Sequence, residues 1–140
     1  MTADHGRCFI DTNIWLYALI EGQNPQKNGK AKILIAETPE IVLSTQVINE
    51  ICVNLIRKAE FAELEIRMLI ADFHETHLVV EIDRMVQTKA SEIRDKHRFS
   101  FWDSFVAASA LLSGAQVLYS EDMQDGFVLD GKLSIVNPLR

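Results

Sequence analysis

The sequence predicts a single α/β domain in which helices cover both faces of a parallel sheet. Two observations support this fold class. Short apolar segments of strand length alternate with helical segments of about 10 to 15 residues. The chain has 140 residues, 48% of them hydrophobic and 24% charged, which fits one ordinary globular domain spanning residues 1–140. Because parallel strands need crossover connections, this alternation predicts a sheet that is buried on both sides.

The first part of the chain is predicted to form three strands and four helices. The strands are short apolar runs, and Ser44 or Thr45 is a favoured cap for the third helix. The predicted strands are Arg7–Ile10, Ile41–Leu43 and Leu78–Glu81. The predicted helices are Thr12–Ile20, Ala31–Glu37, a third from this cap to Ala59, and Ala62–Glu75, with a turn region over Gln23–Gly29.

The rest of the chain is predicted to form two helices and two strands. The first helix is long and polar, and the second is apolar nearly all round. Ser113-Gly114 is a stop signal for the second helix. These elements are the helices Asp83–His97 and Ser100–Leu112 and the strands Val117–Tyr119 and Leu133–Val136.

Charge and cysteine content predict a cytoplasmic protein but do not decide its function. The net charge of −6, from 14 Lys and Arg against 20 Asp and Glu, lacks the basic character typical of nucleic-acid binding. An acidic chain can still act on RNA if its carboxylates surround cations. Cys8 and Cys52 lack metal-ligand spacing and are interpreted as reduced thiols. No apolar run reaches the roughly 20 residues of a membrane span, and Met1–Arg7 lacks the apolar stretch of a secretory signal.

Four acidic residues are predicted to lie at one edge of the sheet. Asp11 directly follows the first strand, and Glu121 and Asp122 follow the Val117–Tyr119 strand after a single serine. In open α/β sheets, ligands bind beyond the carboxyl ends of the strands. Glu50 lies in the second turn of its helix, opposite the apolar face, and Asp103 lies in the first turn of an otherwise apolar helix.

Each acid also has a structural interpretation. Asp11 could cap the following helix, and Ser100 with Asp103 reads as a capping box. Glu50 could be solvated, and Ser120–Asp122 could form a turn. What favours a site is that all four acids fall at the same end of the sheet. Carboxylates gathered there need a compensating cation, and all-oxygen ligands suit Mg²⁺ or Mn²⁺.

Four short segments of the chain resemble the PIN-domain nucleases, and within them the VapC toxins of toxin–antitoxin pairs. The resemblance runs from residue 7 to Pro138 and ends in Asn137-Pro138, as is usual in that family. The segments are Phe9-Ile10-Asp11-Thr12-Asn13, Ser44 to Glu50, Phe101-Trp102-Asp103-Ser104, and Leu118 to Met123.

The resemblance implies a PIN-like fold and metal-dependent endonucleolytic cleavage of structured RNA. It assigns metal binding and catalysis to Asp11, Glu50, Asp103 and Asp122. It gives Thr12, Asn13 and Glu121 supporting roles, and many relatives carry an acid near Glu121 or Asp125. It also implies a homodimer and a cognate antitoxin, whose Arg or Lys would pair with the acids.

Basic residues would hold the RNA backbone. The nominated patch lies just before the Asp103 helix, and its alternative is the solvated, dipole-stabilised end of a helix. It comprises Arg94, Lys96, His97 and Arg98, and a weaker candidate set comprises Lys27, Lys30 and Lys32. The aromatic residues Trp15, Tyr17 and Trp102 are interpreted as core.

Other readings remain open. A catalytically inactive PIN-like module acting through a protein partner would keep the fold, and DNA could replace RNA as substrate. A phosphoacceptor domain is less compatible, because Asp11 has no adjacent acid and Ser120-Glu121-Asp122 stands where that class has a lysine.

Overall fold

The computed structural model describes residues 6–140, which form one six-stranded sheet with six helices. Residues 1–5, most of the segment interpreted as lacking a secretory signal, lie outside the described part. The strands are β1 Arg7–Ile10, β2 Glu40–Ser44, β3 Leu78–Val80, β4 Val117–Tyr119, β5 Val128–Leu129 and β6 Leu133–Val136. The helices are α1 Thr12–Leu19, α2 Pro25–Glu37, α3 Thr45–Ala59, α4 Glu63–Thr76, α5 Arg84–Lys96 and α6 Phe101–Leu112.

The sheet has the strand order β3-β2-β1-β4-β6-β5, and every neighbouring pair is parallel except β5 and β6. The predicted α/β class with a central parallel sheet is therefore confirmed. The two central strands, β1 and β4, are adjacent in the sheet although more than 100 residues separate them. Their carboxyl ends consequently meet at one edge. Within residues 6–140, no helix is long and apolar enough to cross a membrane.

The predicted turn region Gln23–Gly29 is wrong, because most of it is the start of α2. The Asn24 side chain caps the helix by accepting a hydrogen bond from the Lys27 N–H at 3.2 Å. Pro25 follows at the first helical position, where its fixed φ suits a helix and its missing N–H costs nothing. Prolines and asparagines mark turns and helix starts alike, so here local composition misleads.

Strand β5 was not predicted. It pairs antiparallel with β6 through a three-residue connection, Asp130 to Lys132, in which Asp130 and Gly131 both have positive φ, 52° and 66°. The turn closes with a hydrogen bond from the Lys132 N–H to the Leu129 carbonyl at 3.0 Å. Asp-Gly favours this type I′ geometry, which suits hairpins.

The core lies on both faces of the sheet. Trp15 is buried as predicted, with an edge-to-face contact to Phe73 at 5.1 Å between ring centroids and an indole hydrogen bond to the Ile10 carbonyl at 3.1 Å. Helix α6 packs against α5, β2 and β4. Its buried alanines, Ala107 and Ala108 among them, allow this close approach.

Ser100→Ala is expected to lower the free energy of unfolding by roughly 0.5–2 kcal/mol. The Ser100 hydroxyl accepts a hydrogen bond from the Asp103 N–H at 3.1 Å and so caps α6. Urea denaturation measures the change. Ser100→Asn, which keeps a capping acceptor, should restore most of the loss; equal destabilisation by both substitutions would contradict a capping role.

Candidate active site

The pairing of β1 with β4 brings Asp11 beside Ser120. Ile10 lies opposite Tyr119 in the parallel ladder, and the Asp11 N–H donates to the Tyr119 carbonyl at 3.0 Å. The carboxylate of Asp11 accepts two further hydrogen bonds at 2.8 Å, from the Thr12 N–H to Oδ1 and from the Ser120 hydroxyl to Oδ2. Asp11 therefore caps α1 as one interpretation predicted, while only 7% of the residue remains exposed.

Thr12 connects Asp11 to Glu50. Its backbone N–H binds Asp11, and its hydroxyl donates to Glu50 Oε1 at 2.7 Å. The Gln46 side-chain amide donates to Glu50 Oε2 at 3.3 Å, one helical turn earlier in α3. Glu50 thus points toward the edge where β1 ends.

Asn13 holds the segment that follows β4. Its amide nitrogen donates to Asp122 Oδ2 at 2.8 Å, and its amide oxygen accepts from the Glu121 N–H at 3.3 Å. The Asp122 N–H also donates to the Ser120 hydroxyl at 3.3 Å. Ser120 therefore contacts two of the acidic positions through one oxygen atom.

The four predicted acids line a single cleft of about 410 Å³. Asp103 reaches this cleft from the first turn of α6, while the other three acids come from the ends of β1 and β4 and from α3. The acids are Asp11, Glu50, Asp103 and Asp122. The expectation that they gather at one edge of the sheet agrees with this geometry.

Burial and mutual repulsion weaken the acidity of two of these carboxyls. Burial raises the pKa of Asp11 to about 6 against the lowering effect of its hydrogen bonds from Ser120 and Thr12, and the nearby charges of Glu50 and Asp103 raise it further. Burial also raises the pKa of Asp103, with Asp122 and Glu50 adding to the effect while its hydrogen bond with Ser100 opposes it. Within residues 6–140, none of the four acids pairs with a lysine or arginine.

The donor set fits a hard divalent cation that keeps part of its hydration shell. All four side chains offer carboxylate oxygens, and their charge has no counterion in the described chain. Across residues 6–140, no three acidic, histidine or cysteine side chains are close enough together to form a ready-made metal-binding group. Mg²⁺ is commonly held by one or two carboxylates and several waters, so it does not need such a cage.

Glu121 lies outside this cleft. Its carboxylate accepts a hydrogen bond from the Tyr17 hydroxyl at 2.6 Å and pairs with Lys27. These contacts lower the pKa of Glu121 despite its partial burial. Asp125 is also elsewhere, because it accepts from the Asn137 N–H at 2.8 Å near the C-terminus. Neither Glu121 nor Asp125 lines the cleft that holds the four carboxylates.

None of the nominated basic residues lines the cleft. Arg94 donates to the Ser104 hydroxyl at 2.7 Å and lies over the Phe101 ring, 4.5 Å from its centroid. His97 packs edge-to-face against Phe127 at 5.3 Å, while Lys96 and Arg98 are exposed.

The weaker basic set is likewise engaged elsewhere. Lys27 pairs with Glu121, Lys30 donates to the Leu139 carbonyl at 3.1 Å, and Lys32 pairs with Glu21 at 3.4 Å.

Two residues of the site were missed and one aromatic prediction is wrong. Ser120 and Gln46 hold carboxylates in place, and the available signals were a small polar residue at a strand end and an i, i+4 spacing to an acid.

Trp102 is 63% exposed rather than core. The buried stretch of α6 begins only at Ser104, so the first turn of this helix stands clear of the core.

The PIN-domain family model matches residues 8–125, so the chain belongs to the PIN-domain family. The match covers most of β1, both helices that carry Glu50 and Asp103, β4 and Asp122. No curated protein matches the sequence.

Several solved structures share the fold. The Mycobacterium tuberculosis toxin VapC20, described as cleaving the sarcin–ricin loop, is 23% identical with a TM-score of 0.64, over 79% of this chain and 86% of that chain. A toxin–antitoxin complex from Klebsiella pneumoniae is 22% identical with a TM-score of 0.68, over 94% and 97%. VapBC2 from Rickettsia felis, solved with a DNA fragment from its promoter, is 14% identical with a TM-score of 0.62, over 94% and 99%.

Asp11→Asn is expected to stabilise the metal-free protein at pH 7 by up to about 3 kcal/mol, and to lose this effect near pH 4. The folded pKa of about 6 exceeds the ordinary 3.8, so the folded state binds a proton more tightly than the unfolded state. The free energy of unfolding of the wild type should therefore fall as pH rises from about 4 to about 6.

Urea denaturation in EDTA across this pH range measures the effect. The exposed Asp95 gives a matched control, because Asp95→Asn should keep the pH dependence of the wild type. The same slope in Asp11→Asn and in the wild type would contradict the assignment.

Proposed function

We infer that the chain is a Mg²⁺- or Mn²⁺-dependent endoribonuclease that cleaves structured RNA. The observation that carries this proposal is the cleft lined by four carboxylates, because their negative charge has no cationic partner within residues 6–140. Membership of the PIN-domain family supports it. The described activity of VapC20, cleavage of a defined RNA loop, supports a structured substrate.

The proposal gives each acid a role. Asp11 and Asp103 are the central ligands, and Asp122 completes the ligand set. Glu50 holds a ligand water or a second ion, or removes the proton of the attacking water. A bound divalent cation would lower the pKa of that water and neutralise the charge that develops on the phosphate.

Neutral side chains keep the carboxylates oriented. Thr12 donates to Asp11 and Glu50, and Asn13 donates to Asp122, as the supporting roles require. Ser120 donates to Asp11. Glu121 acts differently in this proposal: by binding Tyr17 and Lys27 it anchors the loop after β4 to α1 and α2.

The proposal extends to partners. Similar folds in toxin–antitoxin complexes support a toxin role and a cognate antitoxin. The proposal also includes a homodimer, which the family resemblance implies. A basic side chain of the antitoxin would pair with the acids of the cleft and exclude the cation. The exposed Lys96 and Arg98 remain the candidates for phosphate contacts, and two cysteines without a disulfide suit action in the cytoplasm.

Asp11→Asn and Asp103→Asn are each expected to reduce cleavage of a structured RNA by on the order of 10²-fold or more, a larger loss than removal of an outer-shell partner of a metal site. EDTA should abolish wild-type cleavage, and Mn²⁺ or Mg²⁺ should restore it. Gel analysis of a purified RNA substrate measures the rates, and circular dichroism checks the fold.

Asp95→Asn is the matched control and should cut like the wild type. Metal-independent cleavage, or full activity in both cleft variants, would rule out the carboxylate-bound cation. A folded wild type that binds Mn²⁺ but cuts no RNA would point to the inactive binding module instead.

A cognate antitoxin is expected to abolish cleavage at stoichiometric concentration, because it would occupy the acidic cleft. Titration of a candidate antitoxin into the cleavage reaction measures this, and an antitoxin from an unrelated pair is the control. Undiminished cleavage in a complex of the two proteins would contradict occupation of the cleft.

A further inference from the structure

A second groove lies directly beside the acidic cleft. It has a volume of about 640 Å³, within the roughly 300–1,000 Å³ that is usual for pockets that hold small molecules. Helices α3, α5 and α6 form its walls, together with Ile82 from the segment before α5. Gln46, Glu50 and Trp102 line both the groove and the acidic cleft, so the two adjoin each other.

The wall between the groove and the cleft carries an exposed aromatic ring. Trp102 is 63% exposed, and its neighbour Phe101 is 51% exposed. The Trp102 ring contacts Phe101 at 5.1 Å and Phe105 at 5.7 Å between centroids. Arg94 supports this cluster from behind, with its guanidinium over Phe101 and a hydrogen bond to Ser104. The indole of Trp102 therefore packs against two rings of its own helix, α6.

Besides the Glu50 carboxylate, the polar side chains that line the groove are the Thr45 hydroxyl and three amides. Asn49 and Gln87 are exposed, and among residues 6–140 no hydrogen bond engages the side-chain amide of either. Gln46 contributes a third amide, which binds Glu50. Asn and Gln amides present donors and acceptors that match the edges of nucleobases.

We propose that this groove binds an unpaired nucleobase of the RNA substrate, stacked on Trp102, while the adjoining phosphate lies in the acidic cleft. The inference rests on the proposed nuclease function and adds a single-stranded base next to the cleavage site as a requirement of the substrate. An aromatic face with amides around it suits a flat heterocycle with polar edges. A protein surface that covered the groove would bury the Glu50 carboxylate and the free amides at a cost.

The test compares two single-stranded RNA oligomers of equal length and phosphate number, one with bases and one abasic, at low salt with Ca²⁺, a hard cation that can lie between a phosphate and the carboxylates. The wild type should bind the base-containing oligomer more tightly, with quenching of the exposed Trp102 fluorescence; the other tryptophan, Trp15, is buried. Trp102→Ala should weaken this binding by roughly 5- to 150-fold and leave binding of the abasic oligomer unchanged. Trp102→Phe should recover most of the loss.

Met68→Ala is the matched control, because Met68 on α4 is 65% exposed and lines neither the groove nor the cleft. It should bind both oligomers like the wild type. Equal binding of the base-containing oligomer by Trp102→Ala and the wild type would overturn the proposal. A smaller sedimenting mass of Trp102→Ala would also overturn it, in favour of a second copy of the chain as occupant of the groove.

The binding test and the cleavage test fail independently. If the protein bound bases through Trp102 but showed no metal-dependent cleavage, the base-binding role of the groove would stand and the proposed nuclease function would be rejected. Conversely, metal-dependent cleavage with an unchanged kcat/KM in Trp102→Ala would keep the nuclease and reject the groove.

Discussion

The parallel pairing of β1 with β4 is the constraint on which the candidate site depends. It joins two segments more than 100 residues apart and sets the end of one strand beside the end of the other. The hydrogen bonds from the Asp11 N–H to Tyr119 and from Ser120 to the Asp11 carboxylate extend this ladder by one residue beyond the strands. A shift of the register would separate Asp11 from Ser120 and, through Asn13, misplace Asp122 as well. The geometry of the cleft is thus a property of the sheet, and α3 and α6 add one acid each from the side.

The side chains around the cleft orient its acids without neutralising them. Thr12, Asn13, Gln46 and Ser120 all donate hydrogen bonds, and none carries a charge. Glu121 shows the alternative, because an adjacent acid paired with Lys27 has its pKa lowered, whereas burial and repulsion raise the pKa of Asp11. These neutral donors orient the carboxylate oxygens without cancelling their negative charge, so the electrostatic potential in the cleft stays negative. Within residues 6–140 no lysine or arginine occupies the place that a cation would take beside these carboxylates.

Sequence patterns predicted the parallel strands, and the gathering of four acids at one edge of the sheet, because these features have strong local signals. Apolar runs end in acids at Asp11 and near Asp122, and parallel pairing then puts them at one edge. The direction of each acidic side chain was harder to predict. Glu121 and Asp122 are adjacent but contact different partners, and the positions of Tyr17 and Lys27 on other helices determine that Glu121 lies outside the cleft. Trp102 was misjudged because its helix is apolar nearly all round, so periodicity could not show that the first turn projects beyond the core. Strand β5 was not predicted because a run of two residues is too short to stand out as an apolar strand. The dipeptide Asp130-Gly131 is a hairpin signal that would have indicated it.

The two edges of the sheet are short, and this affects how copies of the chain can meet. Strand β3 has three residues, and β5 has two before it turns back at Asp130 and Gly131. An ion pair between Lys89 and Asp130, 3.1 Å long, ties that turn to α5. Long unpaired edges are templates for aggregation, because a foreign strand can add to their open backbone groups. Here each edge offers too few such groups in a row to seed a continuous intermolecular sheet, which leaves side-chain surfaces as the means of association.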